Sequence, residues 1–240
     1  MNIALIFAGG TGQRMNSKSC PKQFLEMYGK PILIHTIEIF EKHNDIEAIC
    51  VVCLSGWEDD LKRLLENYNI KKVKWIVEGG STGHDSIYNG LMEIKSFCNE
   101  DDIVLIHDGV RPLITKKLIS DNIECVKKYG NAITVEDAAE SIAIIEGNNS
   151  NSIETMPRRS LCKVAKAPQS FYVKDICLIH DRAQKDGYKS IDSSDLMNHY
   201  NEKLYTVKST PYNIKIATPS DYYVFRALYE ARENSQIFGL

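Results

Sequence analysis

NIALIFAGGTGQRM (residues 2–15) joins an apolar run to a glycine-rich loop, and this order decides the fold. A strand followed by such a loop is typical of turns that hold anions with backbone N–H groups. The loop is not a dinucleotide fingerprint, because Met15 stands where that motif has the glycine that follows Gly10 and Gly12. It is not a P-loop either, because Arg14 or Met15 stands where the Gly-Lys-Ser/Thr sequence begins.

Strand-like and helix-like patterns alternate along the chain outward from this loop. Four apolar, β-branched runs predict strands buried on both faces: 2–8, 47–54, 73–79 and 102–108. Four helical patterns lie between or after them: 30–43, 57–69, 85–97 and 115–130. This rhythm is typical of the α/β class, and it predicts a doubly wound, mainly parallel sheet of the Rossmann-like type.

The rhythm changes after residue 130. Residues 131–151 predict two strands joined by a polar turn, and 161–173 continue as an irregular stretch. We therefore expect a β-arm, at about 134–165, that is inserted into the fold and leaves the main sheet. The sequence shows no linker and no internal repeat, so we expect residues 1–240 to form a single domain.

Strand character returns near the end of the chain, at 204–209 and 213–217. A final helix is predicted directly after these strands. Thr218 is its predicted N-cap, Pro219 takes the first helical position, and Asp221 lies in the first turn.

Composition narrows the class of protein. Of the 240 residues, 43% are hydrophobic and 25% are charged, which is ordinary for a globular protein with a sizeable core. The net charge of −3 gives no reason to expect binding to nucleic acid or to an anionic membrane surface. No run approaches the roughly 20 apolar residues that a membrane helix needs.

The cysteines, the histidines and the first residues indicate where the protein works. Seven cysteines are scattered without a disulfide pattern, which favours a reducing compartment. Cys50 and Cys53 form a C-x-x-C inside a strand pattern, so we interpret them as core residues. The six histidines lack the spacing of a zinc site. The chain begins with a strand-like run instead of a targeting signal, and we expect a cytoplasmic protein.

Ligands of a doubly wound sheet bind at the carboxyl ends of its strands. After the first strand the chain offers small residues and then two cations: Ala8, Gly9, Gly10, Gly12, Arg14 and Lys22. Small residues let backbone N–H groups approach phosphate oxygens, and the cations would neutralise a polyphosphate. The alternative is a plain left-handed turn followed by two solvated cations.

IHDGVRP (residues 106–112) ends a second predicted strand at the same edge of the sheet. A lone carboxylate such as Asp108 suits Mg²⁺, which takes most of its other ligands from phosphates and water. Gly109 leaves space beside it, and Arg111 could bind a second anion. The alternative for Asp108 is a strand-end cap, and we interpret His107 as a packed strand residue, not a base.

Two further stretches contribute candidates. In EGGSTGHDSIYNGL (78–91), Ser86 would cap a helix or touch a ligand. In YNIKIATPSD (212–221), Lys215 lies in a predicted strand of mainly apolar residues, where a lysine invites a buried anionic partner. A lysine on a half-exposed edge strand is the alternative.

Taken in order, AGGTGQRM, PKQFL, GKPILIHTIEIF, GGSTGHDSIYNGL, IHDGVRP, APQSF and NIKIATPSD resemble the cytidylyltransferases that activate sugar-alcohol phosphates. These are the 2-C-methylerythritol 4-phosphate and ribitol 5-phosphate enzymes. The resemblance runs from about residue 2 to residue 225 with order and spacing preserved. It implies that a phosphate oxygen of the acceptor attacks the α-phosphorus of CTP, and that pyrophosphate leaves.

The resemblance also implies a set of site residues. The implied CTP-binding residues are Ala8, Gly9, Gly10, Gly12, Gly80, Ser86 and Gly109. The implied catalytic cations are Arg14, Lys22 and Lys215, and Asp108 is the implied Mg²⁺ ligand. The implied acceptor-binding residues are Arg111, Glu140, Ser141, Arg159 and Asp192. The arm would mediate a homodimer, and Arg159 would act in the neighbouring subunit's site.

Three positions depart from the pattern of these enzymes, namely Gly83 for an arginine, Ala167 for a threonine and Ile191 for a residue that is often polar. Trp57 and the stretches YNI, PQSF and YNIK favour the ribitol-phosphate members, so we predict D-ribitol 5-phosphate as acceptor. Methylerythritol phosphate is the alternative. A nicotinamide-dependent oxidoreductase and a non-catalytic nucleotide-binding module are the alternatives from other classes.

Overall fold

The computed structural model of the chain describes residues 1–10, 20–147 and 151–238. Its strands, in chain order, are β1 (Asn2–Ala8), β2 (Glu26–Met27), β3 (Lys30–Pro31), β4 (Ala48–Cys53), β5 (Val73–Glu78), β6 (Ile103–Asp108), β7 (Asn131–Asp137), β8 (Ile144–Ile145), β9 (Ile153–Thr155), β10 (Lys163–Tyr172) and β11 (Thr206–Lys208). Its helices are α1 (Ile32–Glu41), α2 (Glu58–Asn67), α3 (Gly83–Phe97), α4 (Lys116–Tyr129), α5 (Val173–Asp186), α6 (Ser193–His199) and α7 (Pro219–Phe238).

The main sheet has seven strands in the order β11-β7-β10-β6-β1-β4-β5. β1 lies parallel to β4 and β6, and β4 lies parallel to β5. β11 pairs in parallel with β7, whereas β10 runs antiparallel between β6 and β7. The prediction of a doubly wound, mainly parallel sheet is confirmed, and all four strands predicted before residue 110 are present.

Helices cover both faces of this sheet. Alternate side chains of a strand point to opposite faces, so Ala4 and Ile6 of β1 enter one core while Ile3 and Leu5 enter the other. The first core is covered by α1, α2 and α4, and the second by α3, α5 and α6. Burial on both faces explains why these strands are almost wholly apolar.

The predicted helices form, with small differences at their ends. The Thr115 hydroxyl accepts a hydrogen bond from the Leu118 amide and starts α4, and Gly130, at a φ of 93°, ends it in the left-handed conformation. α1 starts two residues later than predicted, because Lys30 and Pro31 form β3. Both caps of α4 are local features, because each acts within one turn of the helix.

The start of α7 differs in detail from its predicted cap. Pro219 takes the first helical position as predicted. The Thr218 hydroxyl pairs with the Ser220 hydroxyl, and the Asp221 carboxylate accepts from the Ala217 and Thr218 amides. The exposed backbone N–H groups are therefore satisfied by Asp221, which reaches back from the first turn.

The prediction of an irregular stretch at 161–173 is wrong. Residues 163–172 form β10, a central strand whose pairing with β7 changes register between Ala165 and Gln169. Its first residues are polar and exposed, and Pro168 lacks the N–H group that a regular ladder needs. Because of these two features the sequence lacks a strand pattern, although hydrogen bonds to β6 and β7 hold the segment in the sheet.

The predicted strand at 213–217 does not form either. The segment is extended but makes isolated backbone hydrogen bonds, such as that from the Ile216 amide to the Val110 carbonyl (3.0 Å). Two helices, α5 and α6, were not predicted at all. Their apolar faces complete the second core through Ile176, Ile179 and Leu196.

Within the range predicted for the β-arm, β8 and β9 form a two-stranded unit outside the main sheet, whereas residues 134–137 and 163–165 belong to β7 and β10 of the main sheet. Large apolar side chains are exposed there and from the end of β9 to the first residues of β10: Ile144, Ile145, Ile153, Met156, Leu161 and Val164, between 46% and 78% exposed. No helix in the described part of the chain has the length and apolar composition needed to cross a membrane.

All seven cysteines are free thiols. Cys50 and Cys53 are fully buried in β4, and burial raises the pKa of each thiol to about 12. A thiol with so high a pKa is neither a nucleophile nor a metal ligand at neutral pH. The interpretation of this C-x-x-C as core is confirmed.

Candidate active site

A cleft of about 700 Å³ opens at the carboxyl ends of β1, β4, β5 and β6. Its wall is formed by loops that follow these strands and by the segment before α7. The lining residues include most of those predicted from the nucleotide-binding motifs: Ala8, Gly9, Gly10, Lys22, Gly80, Ser86, Asp108 and Lys215. The cleft therefore brings together residues from five separate stretches of the sequence.

Glycine is needed in the first loop because backbone passes close to backbone. A Cβ atom on Gly9 would lie 3.0 Å from the Gly79 Cα and 3.1 Å from the Ser86 Oγ. The loops after β1 and β5 are thus in contact, and neither can carry a side chain at this point. Gly12 and Arg14, predicted to bind CTP and its phosphates, lie outside the described residues.

Gln23 holds the glycine loop in place, and the sequence analysis missed it. Its side-chain Nε2 donates to the Ala8 carbonyl (2.6 Å) and to the Gly10 carbonyl (3.2 Å), and the residue is buried. These two bonds turn the carbonyls of the loop towards the protein. The signal was present in PKQFL, where a polar amide stands between the predicted cation Lys22 and an apolar pair.

Ser86 braces the second glycine loop. Its hydroxyl donates to the Thr82 carbonyl (2.8 Å) and accepts from the Gly80 amide (3.1 Å), while the Thr82 hydroxyl accepts from the Asp85 amide (3.1 Å). A Cβ atom on Gly80 would lie 2.4 Å from the Asp85 Cβ, so only glycine fits there. Residues 79–83 are therefore held rigidly along the cleft at the start of α3.

Asp108 joins two cations at the end of β6. Its Oδ2 lies 2.6 Å from Arg111 Nε, and its Oδ1 lies 2.5 Å from Lys215 Nζ. Burial alone would raise the pKa of Asp108, but the adjacent Lys215 and Arg111 charges outweigh that effect and hold the pKa well below its usual range. Asp108 is therefore a carboxylate at every pH at which the protein is expected to work.

Lys215 has the buried anionic partner that its sequence position predicted, although its segment is not a strand. Its side chain is 39% exposed and lies on the cleft wall. Lys22 also lines the cleft, with Nζ 3.2 Å from the carbonyl of Ile216, the residue next to Lys215. Two lysines from distant parts of the chain therefore face the space that a polyphosphate would occupy.

Asn213 is a second residue that the sequence analysis missed. It is fully buried, its carbonyl accepts from Arg111 Nη1 (3.0 Å), and its side-chain Nδ2 donates to the Ala167 carbonyl (2.7 Å). Asn213 thus ties the segment that carries Lys215 to Arg111 and to β10. Its place two residues before Lys215 in YNIK was the available signal.

Several predicted residues lie away from the cleft wall. In the described part of the chain, Gly109 and Arg111 are not among the residues that line the cleft: a Cβ atom on Gly109 would lie 2.9 Å from Leu33 Cδ1, and Arg111 is paired with Asp108. Glu140, Ser141 and Arg159 are exposed on the arm, where Arg159 Nη1 donates to the Ala139 carbonyl (3.3 Å). Asp192 caps α6 by accepting from the Asp195 amide. One chain by itself does not assemble the predicted acceptor set.

The residues of the cleft fit a metal with few protein ligands. Within the described residues, no group of three or more His, Cys, Asp or Glu side chains is arranged to hold an ion. Asp108 is ionised and reaches the cleft, and Mg²⁺ bound to phosphates needs one or two carboxylates. His107 is buried, with Nε2 3.2 Å from the Arg111 carbonyl, and burial lowers its pKa to about 4. It is a packed strand residue, as predicted.

Comparison with known proteins agrees with this geometry. A family model described as 2-C-methyl-D-erythritol 4-phosphate cytidylyltransferase (IspD) matches residues 2–230. The chain is 49% identical over 241 residues to a ribitol-5-phosphate cytidylyltransferase of Streptococcus agalactiae serotype Ia, covering 100% of both chains. It is 36% identical over 220 residues to a 2-C-methyl-D-erythritol 4-phosphate cytidylyltransferase of Clostridium botulinum, covering 92% of this chain and 93% of the relative.

A solved structure has the same architecture. The crystal structure of 4-diphosphocytidyl-2C-methyl-D-erythritol synthase from Anaerococcus prevotii superposes with a TM-score of 0.83 at 27% identity. The match covers 95% of this chain and 96% of that one. The similarity therefore extends over nearly the whole chain, beyond the glycine loop alone.

Proposed function

The chain belongs to the IspD family of cytidylyltransferases, and from this premise we propose that it transfers CMP from CTP to D-ribitol 5-phosphate, releasing pyrophosphate. One observation carries the choice of acceptor: identity to the ribitol-5-phosphate relative is higher, and extends further along the chain, than identity to the methylerythritol-phosphate relative. The product would be a CDP-ribitol that supplies cell-surface polymers, made in the cytoplasm.

The cleft suits this reaction because the reaction needs charge neutralisation more than proton transfer. The attacking phosphate oxygen is already an anion at neutral pH, so no general base is required. The barrier lies in bringing that anion to a polyphosphate. Lys22 and Lys215 both line the cleft, and the open space at Gly10, where a Cβ atom would meet nothing within 4 Å, lets phosphate oxygens approach the backbone. Arg14 would add a third positive charge.

We propose Mg²⁺ as the cofactor and Asp108 as its protein ligand. The ion would supply further charge neutralisation on the phosphates of CTP. For Asp108 Oδ1 to hold it, the Lys215 ammonium must leave that oxygen, and Lys215 is exposed enough to turn towards the nucleotide. Arg111 and Asn213 would keep the carboxylate in place meanwhile, because both are buried.

We propose further that two copies of the chain pair through the arm, defined by residues 134–165. Its exposed apolar side chains, such as Ile145 and Leu161, are the kind of surface that a second copy covers. Glu140, Ser141 and Arg159 also lie on this arm, away from the cleft of their own chain. Pairing would bring them to the partner's cleft, where Arg159 would bind the acceptor phosphate beside Asp192.

Pyrophosphate release tests the proposed reaction. With CTP and Mg²⁺, we expect turnover of D-ribitol 5-phosphate well above that of other pentitol phosphates and of 2-C-methyl-D-erythritol 4-phosphate. Turnover of methylerythritol phosphate alone would overturn the choice of acceptor, and no reaction with CTP and any acceptor would overturn the function.

The kcat of the variant Asp108→Asn tests whether the measured turnover comes from this protein and not from a contaminating enzyme. We expect kcat to fall at least about 100-fold, because the charge that would hold the cation is lost. Asp121→Asn is the matched control, since that carboxylate pairs with Lys117 on the exposed side of α4. Asp121→Asn should leave kcat unchanged.

A further inference from the structure

A short loop connects the nucleotide side of the cleft with the centre of the sheet, and we call residues 187–195 the latch segment. It starts where Gly187, at a φ of 69°, ends α5 in the left-handed conformation. It is held internally by Asp195, whose Oδ2 accepts from the Ile191 amide (3.0 Å) and from the Tyr188 hydroxyl (3.2 Å). The latch segment is therefore a structured loop with its own hydrogen bonds.

The first anchor of the latch segment lies at the start of α3. The Ser190 hydroxyl is 2.9 Å from His84 Nδ1, and the Ser190 amide donates to the same nitrogen at 3.4 Å. Beside it, Lys189 Nζ lies 3.0 Å from Asp85 Oδ2. The residue before His84, Gly83, lines the cleft, so this anchor lies next to the loop of residues 79–83.

The second anchor lies on β10. The Gln169 side chain accepts from the Ser194 amide (2.8 Å) and donates to the Ser194 hydroxyl (3.3 Å). Gln169 is buried and pairs with Ile106 of β6, the strand that ends at Asp108. The latch segment thus joins the nucleotide loop to the strand beside Asp108.

The hydrogen bonds at His84 determine its protonation state. A backbone N–H group can only donate, so Nδ1 must accept from Ser190 and the ring proton must be on Nε2. That Nε2 is buried and has no hydrogen-bond partner among the described residues. The ring of His180 on α5 lies against it, with centroids 4.8 Å apart. The neutral ring is therefore the form that the latch requires.

The order of the strands indicates which substrate the latch segment serves. Loops after β1, β4 and β5 line the cleft on one side of Asp108. β10, which holds the second anchor, lies next to β6 on the other side. A nucleotide that fills the β1, β4 and β5 side leaves the β10 side for the second substrate.

We propose that His84 and Ser190 are positioning residues for the acceptor: they hold the latch segment at the place where the sugar-alcohol phosphate binds, and so set the KM for the acceptor without setting that for CTP. The proposal rests on the transfer reaction proposed above. His84 and Ser190 act only by positioning the latch segment, since neither side chain is required to touch a reacting atom.

Substitutions at His84 separate positioning from packing. His84→Leu keeps the apolar contact but removes the acceptor nitrogen, and we expect the acceptor KM to rise about tenfold, with the KM for CTP changed less than about twofold. His84→Asn places an acceptor oxygen near the former Nδ1 and should restore the acceptor KM. Ser190→Ala keeps the backbone donor and should give a smaller rise of about threefold.

Lys95→Met is the matched control for these variants. Lys95 Nζ lies 3.0 Å from Asp181 Oδ2 and also joins α3 to α5, but at the end of α3 away from the cleft. Its loss should leave both KM values unchanged. Equal changes in the two KM values for His84→Leu, or no rescue by His84→Asn, would overturn the proposal.

Low pH should break the hydrogen bonds between Ser190 and His84. A protonated His84 carries an N–H group on Nδ1, and this donor would face the N–H group of the Ser190 amide. The charged or titratable groups around the His84 ring are Asp85 on α3, His180 on α5 and Lys189 on the latch segment. Burial lowers the pKa of His84, with Asp85 opposing and Lys189 reinforcing the effect. We expect the acceptor KM to rise from about pH 7 to about pH 5 more steeply in the parent enzyme than in His84→Asn. Equal slopes would contradict the proposal.

The parent assay separates a failure of this proposal from a failure of the proposed function. The KM comparison is made with whichever sugar-alcohol phosphate the parent enzyme turns over, so a different acceptor leaves the latch testable. If no acceptor reacts, the ¹⁵N shifts of the His84 ring and hydrogen exchange at the Ser190 amide provide the readout. A protonated Nδ1, or exchange that His84→Leu does not accelerate, would then overturn the latch.

Discussion

At the scale of single residues, two kinds of polar side chain build the site. Some face the cleft, and others position the backbone around it through hydrogen bonds. Gln23 holds two carbonyls of the glycine loop, and Asn213 joins Arg111 to β10. Both are buried amides with two or more hydrogen bonds, and a buried polar group of this kind is costly to disturb. They determine where Asp108 and the loop lie before any substrate is bound.

Gln23→Glu tests this role at the residue scale. A carboxylate cannot donate to the Ala8 and Gly10 carbonyls and would face them with like partial charge, so the loop must shift. We expect the KM for CTP to rise at least about tenfold while the acceptor KM changes less. Steady-state kinetics with each substrate varied in turn gives the answer. An unchanged KM for CTP would show that the two hydrogen bonds from Gln23 are not needed to position the loop.

At the scale of elements, the start of α3 carries the nucleotide loop and one anchor of the latch segment. Thr82 caps this helix, and Ser86 ties its first turn back to Gly80. The helix is also packed on the sheet through Ile87 and Leu91. A rigid element of this kind keeps residues 79–83 and the anchor of the latch segment at fixed positions relative to each other.

A pair of glycines provides a matched test of this element. At Gly80 a Cβ atom would meet the Asp85 Cβ at 2.4 Å, whereas at Gly83 it would meet nothing within 4 Å. We expect Gly80→Ala to lower the free energy of unfolding by about 1–3 kcal/mol and to weaken CTP binding. Gly83→Ala, at the first residue of α3, should be neutral or stabilising by up to about 1 kcal/mol. Chemical denaturation and CTP titration of both variants give the comparison, and equal losses would contradict the packing described.

At the scale of the whole molecule, buried neutral histidines link stability to pH. Burial, reinforced by nearby His84, lowers the pKa of His180 to about 3. In the unfolded chain the pKa of the same ring is about 6.5. The unfolded state therefore binds more protons between these values, so this contribution to stability is complete above the higher value and is lost progressively as the pH falls below it.

His180→Phe should flatten that dependence. Between about pH 6 and about pH 4, removal of one such group is expected to reduce the slope of the free energy of unfolding by up to about 1.4 kcal/mol per pH unit. Urea unfolding at several pH values measures the slope. Tyr88→Phe, which alters the ring facing His180 but keeps the histidine, should retain the parent slope. A slope unchanged by His180→Phe would mean that the histidine is charged in the folded state.

The arm provides the second prediction at this scale. If the proposed homodimer forms through the exposed apolar side chains of the arm, then Leu161→Asp, at a side chain that is 78% exposed, should yield monomers in sedimentation analysis. The monomer should keep CTP binding but lose acceptor turnover, because Arg159 would no longer reach a partner. Phe97→Asp is the control, since Phe97 is 64% exposed on α3, away from the arm. A dimeric Leu161→Asp protein would place the interface elsewhere.

The distance along the chain that each interaction spans explains which features the sequence could predict. The glycine loop, the alternation of strands and helices, and the cap at Gly130 are local signals, because a turn or a period is complete within a few residues. β10 escaped prediction because Pro168 and an exposed first half mask a strand that exists through its two neighbours. α5 and α6 were not assigned, although α5 has an amphipathic pattern.

By itself, therefore, the sequence determined the α/β class, and it predicted the glycine loop, Lys22, Asp108 and Lys215 as site candidates that the structure brings to one cleft. Only the tertiary structure decided that Asp108 pairs with Lys215, that Gln23 holds the loop, and that His84 contacts Ser190. The physical reason is that these contacts join residues far apart in the chain. Their distances are set by strand order and register, and no local pattern encodes either of these.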